Sequence, residues 1–336
     1  MKLGAILGSV VGLGLAAWLL QSYGVGRILD LLGHAGWVGI LLVIAFHLVQ
    51  LVFSAAAWRT ITGRTTPRLG LLGFMVLRWI REGVNNLLPV AQIGGEFVAS
   101  RLLQRQGVKL APAIAGTVAD LTMEMVTQIL FTLLGLGLLL RSVGDPGMAS
   151  YVVSGLAMAL LAAAGFMGAQ WLGLASVIER SLLRLGRALG WVGMAEVAGL
   201  HRALIACYRS PRRVALAAAY HSTSWLLGGI EVCLALYFLG HRVGIVPGLI
   251  IESLGQALKA VGFAVPGALG VQEGGLIVIC QVFGLSPEVA IALSLMKRLR
   301  EVVLGTPALL MWQFKEMKMR STVLATSAAP APGSGP

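Results

Sequence analysis

Long apolar runs separated by short polar stretches dominate the chain. Residues 3–20, 35–58, 110–140, 151–171, 214–239 and 287–314 each approach or exceed 20 residues, the last carrying Lys297, Arg298, Arg300 and Glu301, and this is the length a helix needs to cross a hydrocarbon core. None alternates apolar with polar positions as a strand would. Two further segments, 69–109 and 246–285, are apolar but interrupted. The first carries Arg78, Arg81, Glu82, Asn85, Asn86, Gln92, Glu96 and Arg101. A charged side chain at the centre of an inserted helix costs about 2.5–3.5 kcal/mol on insertion scales. Helix–break–helix hairpins that enter and leave one membrane face therefore fit these segments better than full spans, with breaks at 88–95 and 266–270. Irregular backbone at membrane depth needs surrounding protein or water. Residues 1–20 read as a retained first helix, because no small-residue cleavage site follows the apolar run.

The two broken segments are related. Pro89, Glu96, Gly107 and Glu124 recur as Pro266, Glu273, Gly284 and Glu301, each 177 positions later. Within 89–133, Ala91, Gln104, Ala113, Ile114, Ala115, Val126 and Leu133 match at the same offset, giving 11 identities in 45 positions. Membrane-like composition alone would give about four. A weak repeat with Pro/Gly-broken apolar segments in both halves is the sequence signature of a transporter and points to its binding site.

Composition agrees: 57% of the 336 residues are hydrophobic and 12% charged, against roughly a quarter charged in soluble domains. The net charge of +12 reads as cytoplasmic loops facing anionic headgroups, not as nucleic-acid binding. With Lys2 inside, 19 of the 26 Lys and Arg fall on the same side and only Arg27, Arg141 and Arg242 fall outside. The expected protein is an all-α polytopic membrane protein of the bacterial inner membrane with both termini cytoplasmic. It has six full spans and two re-entrant hairpins in one membrane domain, 1–320. Repeat A (about 35–140) and repeat B (about 212–317) are joined by the span 149–172 and a basic interfacial segment, 178–213. Residues 321–336, rich in Ala, Pro, Gly and Ser, are expected to be disordered. Three crossings separate the second span from the fifth, so the second copy is inverted, as alternating access around a midplane site requires.

Three constellations carry candidate chemistry. Asn85, Asn86, Pro89, Gln92 and Glu96 surround the first break, and Pro266, Gln272 and Glu273 the second. Freed backbone groups there can bind a polar headgroup; the glutamates either meet a cation or a proton, or cap the half-helix that follows. Asp120 and Glu124 share one helix face, as do Lys297 and Glu301, with Arg298 and Arg300 nearby. Position 120 maps to 297, an acid against a base, and the two are expected to meet as an ion pair that either couples transport or staples the halves. Arg78 and Arg81 line a polar cavity or snorkel to headgroups, and Lys259 is the better cavity candidate. His47, Gln50, His221, Ser222, Ser224 and Glu231 read as weaker, with a lone histidine more often a packing residue. Cys207, Cys233 and Cys280 show no metal spacing; no metal, cofactor or disulfide is expected.

The stretches from Arg78 to Glu96, from Val265 to Gly275 and from Lys297 to Gly305 resemble the transmembrane regions of lysylphosphatidylglycerol synthases, and most of all hopanoid-biosynthesis-associated membrane proteins. The likeness covers nearly the whole chain. It implies movement or presentation of a polar-headed lipid, phospholipid or hopanoid, between leaflets. Only 16 residues of tail are read beyond residue 320, so lysyl transfer is not expected. The alternatives are an integral-membrane lipid-modifying enzyme, a scaffold for lipid biosynthesis, and a transporter of small solutes; a homodimer is left open.

Overall fold

The structure, a computed structural model, describes residues 25–63, 69–88, 94–143, 199–261 and 270–327. The expected spans at 3–20 and 151–171, most of the basic interfacial segment, and Pro89, Gln92 and Pro266 lie outside the described residues. Those described are all helical or in turns, with no strand among them.

The helices are α1 (Val25–Thr62), α2 (Leu71–Leu87), α3 (Gly94–Arg105), α4 (Leu110–Val143), α5 (Leu200–Tyr208), α6 (Pro211–Phe238), α7 (Ile245–Val261), α8 (Val271–Gln281) and α9 (Pro287–Ser327). Two of them, over Gly33–Thr62 and Leu110–Ser142, are long and apolar enough to cross a membrane by length and composition. Gly36 (φ 60°) kinks α1. Ser210 caps α6, its hydroxyl accepting from the Arg213 N–H at 3.4 Å, and Pro211 opens the helix where no N–H is needed.

Two expected boundaries move. The basic stretch from Arg59 begins as helix, because α1 runs on to Thr62 and stops only before Gly63, whose φ is 66°. Helix α9 continues past residue 320 to Ser327; the first helix-breaking residue after it is Pro330.

Both interrupted segments form helix pairs, α2 with α3 and α7 with α8. Helices α3 and α8 start 177 positions apart, and so do α4 and α9. The connecting turns match. Gly107 (φ 87°) and Gly284 (φ 70°) take the left-handed conformation. Val108 N–H reaches Leu103 O at 3.4 Å, and Leu285 N–H reaches Cys280 O at 3.1 Å. Helices α2 and α7, however, start 174 positions apart. The gap before α8 is three residues longer than the gap before α3, so the first arms follow an offset different from that of the helices after them. Asn85 therefore stands against Lys259, not Gly262 as the single offset implies.

Packing separates into two apolar cores. One gathers Trp58, Phe74, Leu77, Ile80, Leu103 and Leu204. The other gathers Leu236, Ile250, Ile251, Leu276, Ile291 and Met296. Helices α1 and α6 share the most extensive interface and run antiparallel, with Gln50 against Glu231 and Ser54 against Ser224. Along both helices the polar positions fall between the stretches that enter the two cores. Large apolar side chains such as Leu130, Leu134, Val302 and Val303 point outward, as expected of a surface that meets lipid.

Candidate site: a charged layer between two apolar cores

The centre of the molecule is a network of buried ions. Arg78 on α2 reaches Glu82 at 2.7 Å one turn on and grips Glu124 of α4 with both terminal nitrogens. Arg81 lies 2.5 Å from Glu96, donates to Asp120 at 2.5 Å and to Glu124 at 3.0 Å, and sits over the Trp58 ring. Only a guanidinium offers enough donors in fixed directions to hold three carboxylates at once. Asp120 is fully buried and completes its shell with His221 of α6, 2.9 Å away.

The arms of the first hairpin are pinned together at the same place. The Asn85 side-chain oxygen accepts from Gly95 N–H at 2.7 Å, and its amide donates to Glu96 at 3.2 Å. A Cβ at Gly95 would meet the Arg81 carbonyl and lie 2.7 Å from the Asn85 oxygen, so glycine is what lets α3 approach α2.

On the other side, Lys297 of α9 pairs with Glu252 of α7, which also accepts from Gln256 at 2.7 Å. Lys259 reaches Glu301 at 2.6 Å and Asn86 of the first hairpin at 3.2 Å. Arg300 pairs with Glu231, which also holds Gln50 and, at 3.0 Å, His47. Glu273 closes the start of α8: it accepts from Gly270 N–H at 2.6 Å and Ser294 at 2.9 Å, and Arg298 lies at 3.1 Å. The two matched glutamates thus differ. Glu96 faces a cavity, whereas Glu273 caps its half-helix.

The expected Asp120–Lys297 pair is not formed. Asp120 takes Arg81 and His221, and Lys297 takes Glu252. The register explains this: at an offset of 174, Arg78 stands against Glu252, so each last helix finds its opposite charge on the hairpin of its own half. The polarity of the Glu252–Lys297 pair is the reverse of the first half, where bases on α2 face acids on α4, whereas Lys259–Glu301 keeps the first half's order.

A cavity of about 360 Å³ opens among α2, α3, α4, α6 and α7. Arg78, Arg81, Asn85, Asn86, Glu96, Glu124 and Lys259 provide its polar wall, and Leu121, Met125 and Ala260 an apolar one. A second lobe of about 150 Å³ shares Arg78, Glu124, Trp225 and Lys259 and extends to His47, His221 and Arg300. Of the sequence candidates, Gln272 is buried on α8 and lines neither lobe, and neither do Glu273, Lys297 and Arg298.

His221, His47 and Glu231 are full members of the layer although their sequence signal is weak. It is nevertheless present: His47, Gln50 and Ser54, and likewise His221, Ser224 and Glu231, recur at three, four or seven positions, one face of a helix in otherwise apolar spans.

A sequence model of one family, the lysylphosphatidylglycerol synthase transmembrane region, matches residues 5–308. No curated protein and no solved structure matches the chain.

Proposed function

We propose, for a chain that belongs to the lysylphosphatidylglycerol synthase transmembrane-region family, that it is a transporter and not an enzyme. It moves a polar-headed lipid, phospholipid or hopanoid, between the leaflets of the inner membrane by alternating access. The observation that carries this reading is the two-lobed cavity. Its larger lobe, about 360 Å³, lies within the range of small-molecule sites, about 300–1,000 Å³. Guanidinium, ammonium, carboxamide and carboxylate groups on one wall suit a headgroup, and the apolar wall suits the start of an acyl or polycyclic tail.

Alternating access follows from an inverted repeat, α1–α4 and α6–α9, with both termini cytoplasmic and six spans beside the two hairpins. Three features support it: the matched helix starts, the matched glycine turns, and the antiparallel packing of α1 on α6, which copies related by an axis in the membrane plane must adopt where they meet. The reversed polarity of the Glu252–Lys297 pair gives the two access states different electrostatics.

The test is leaflet exchange. Purified protein in vesicles of phosphatidylethanolamine and phosphatidylglycerol is given headgroup-labelled phosphatidylglycerol, phosphatidylethanolamine or a labelled hopanoid. Dithionite then quenches label that reaches the outer leaflet. Exchange of at least one of these well above protein-free vesicles is expected. No exchange, together with a chemically altered lipid, would replace the transporter with an enzyme.

A further inference from the structure

The two sides of the buried layer are not equally balanced. Among the described ion pairs, Lys259, Lys297, Arg298 and Arg300 face Glu231, Glu252, Glu273 and Glu301, four cations against four anions. Among the described ion pairs around the first hairpin, Arg78 and Arg81 face Glu82, Glu96, Asp120 and Glu124. Two guanidiniums are shared there among four carboxylates. Buried carboxylates call for a counter-charge nearby, and two imidazoles stand against carboxylates of the layer. His47 lies 3.0 Å from Glu231 and 3.8 Å from Glu82; His221 lies 2.9 Å from Asp120.

His221 is the better placed. Its side chain and that of Asp120 are 1% and 0% exposed, yet the ring forms part of the wall of the smaller lobe. Charged and titratable groups on several helices surround it. From α4 come Asp120 and, one turn on, Glu124. From α2 come Arg78, Arg81 and Glu82 behind them, and from α5 comes Tyr208. Across the lobe stand His47 of α1, Lys259 of α7, and Arg300 and Glu301 of α9. The cations among these are all engaged with carboxylates, and His221 is the imidazole in contact with Asp120. It also joins α6 to α4, helices of different repeats.

We propose that His221 and Asp120 form a proton-binding site within the membrane, loaded through the smaller lobe. Its occupancy sets how tightly α6 holds α4 and so couples lipid movement to a proton gradient. The coupling rests on the transporter reading; the proton site does not. The step is a plain protonation: a proton from water in the lobe adds to the imidazole, which becomes a cation beside the aspartate, and it leaves the same way.

Two measurements separate these claims. Protein carrying ¹⁵N-histidine in lipid nanodiscs is titrated from pH 5 to 9. One imidazole that changes charge state is expected to vanish from the spectrum in His221→Gln. Should that variant not fold, the signal is assigned by replacing the other four histidines with glutamine one at a time. A His221 ring that keeps one charge state over the whole range overturns the proton site. Proteoliposomes with pyranine inside and labelled phosphatidylglycerol are then given an imposed pH gradient. The gradient should change the exchange rate several-fold in the wild type and not in His221→Gln or Asp120→Asn. Exchange indifferent to the gradient overturns the coupling and leaves the transporter standing. A titrating His221 with no exchange of any labelled lipid sinks the transporter and supports the proton site.

Discussion

Replacing Arg81 with methionine tests whether the charged layer is held together by guanidinium bridging. Arg81 is 2% exposed and touches Glu96, Asp120 and Glu124 at 2.5, 2.5 and 3.0 Å. Were these ordinary interhelical hydrogen bonds in a membrane, at about 0.6 kcal/mol each, losing three would cost about 2 kcal/mol. They are ion pairs, however, and their loss leaves Asp120 and Glu124 to Arg78 and His221, and Glu96 to the Asn85 amide. Removing one partner of a buried pair costs about 3–5 kcal/mol, and the Trp58 contact, at 5.7 Å from the ring centre, adds about 1 kcal/mol. Arg81→Met should therefore lose about 4–6 kcal/mol in reversible unfolding by dodecyl sulfate in mixed micelles, followed by circular dichroism. Arg81→Lys should fall between, because an ammonium cannot span three carboxylates. Adding Asp120→Asn to Arg81→Met should recover part of the loss by removing one stranded charge. The control is Arg298→Met: Arg298 is 18% exposed and its partner Glu273 keeps Gly270 N–H and Ser294, so about 1 kcal/mol is expected. An Arg81→Met protein within 1 kcal/mol of wild type, or an Arg298→Met protein that loses as much, would refute the reasoning.

Other substitutions probe separate parts of the account. Gly95→Ala pushes a methyl against the Arg81 carbonyl and Asn85 and should cost about 1–3 kcal/mol; an unchanged melting temperature counts against the close packing of α3 on α2. Gly135→Ala collides with the Ser253 side chain of α7, so Ser253→Gly should restore its stability, and failure to do so would show that the contact is elsewhere. Lys259→Gln removes charge-assisted bonds worth about 1.5–3 kcal/mol each, and if the ammonium also holds the headgroup, exchange should slow on the order of tenfold in a protein that still folds; an unchanged rate removes Lys259 from the site. Cysteines at Ala91 and Ala268, in a background freed of the three native cysteines, should react with impermeant maleimide from opposite faces of the membrane. Labelling of both from one face would end the inverted repeat.

Much of the architecture could be read in the chain because its signals are local. Apolar runs set the helices, and a proline with several glycines marks each interruption, since they remove a donor and admit unusual dihedrals. Gly107 and Gly284 stand out in the sequence as a matched pair, and the structure shows each in a left-handed turn. The pairing of charges was not legible. It depends on which residues face each other across helices, and one offset of 177 hides the three extra residues before α8. With that slip, Asp120 and Lys297 look like partners, whereas each is satisfied by a hairpin residue, Arg81 and Glu252. His221 and Glu231 escape for another reason: a single polar residue in an apolar span carries little signal until the neighbouring helix shows what it meets. The Gly63–Gly240 pair, also 177 apart and with φ of 66° and 86°, lies before the stretch where the repeat is densest and passes unnoticed without coordinates.

The central claim is that a lipid headgroup enters the cavity between the hairpins. A phospholipid and a hopanoid carrying a photoreactive group on the polar end, irradiated in proteoliposomes and mapped by mass spectrometry, test it most directly. Label is expected on Leu121, Met125 and Ala260, which line the larger lobe, and it should fall when Lys259 is replaced by glutamine. Label confined to the outward-facing Leu130, Leu134, Val302 and Val303, and indifferent to Lys259, would contradict it.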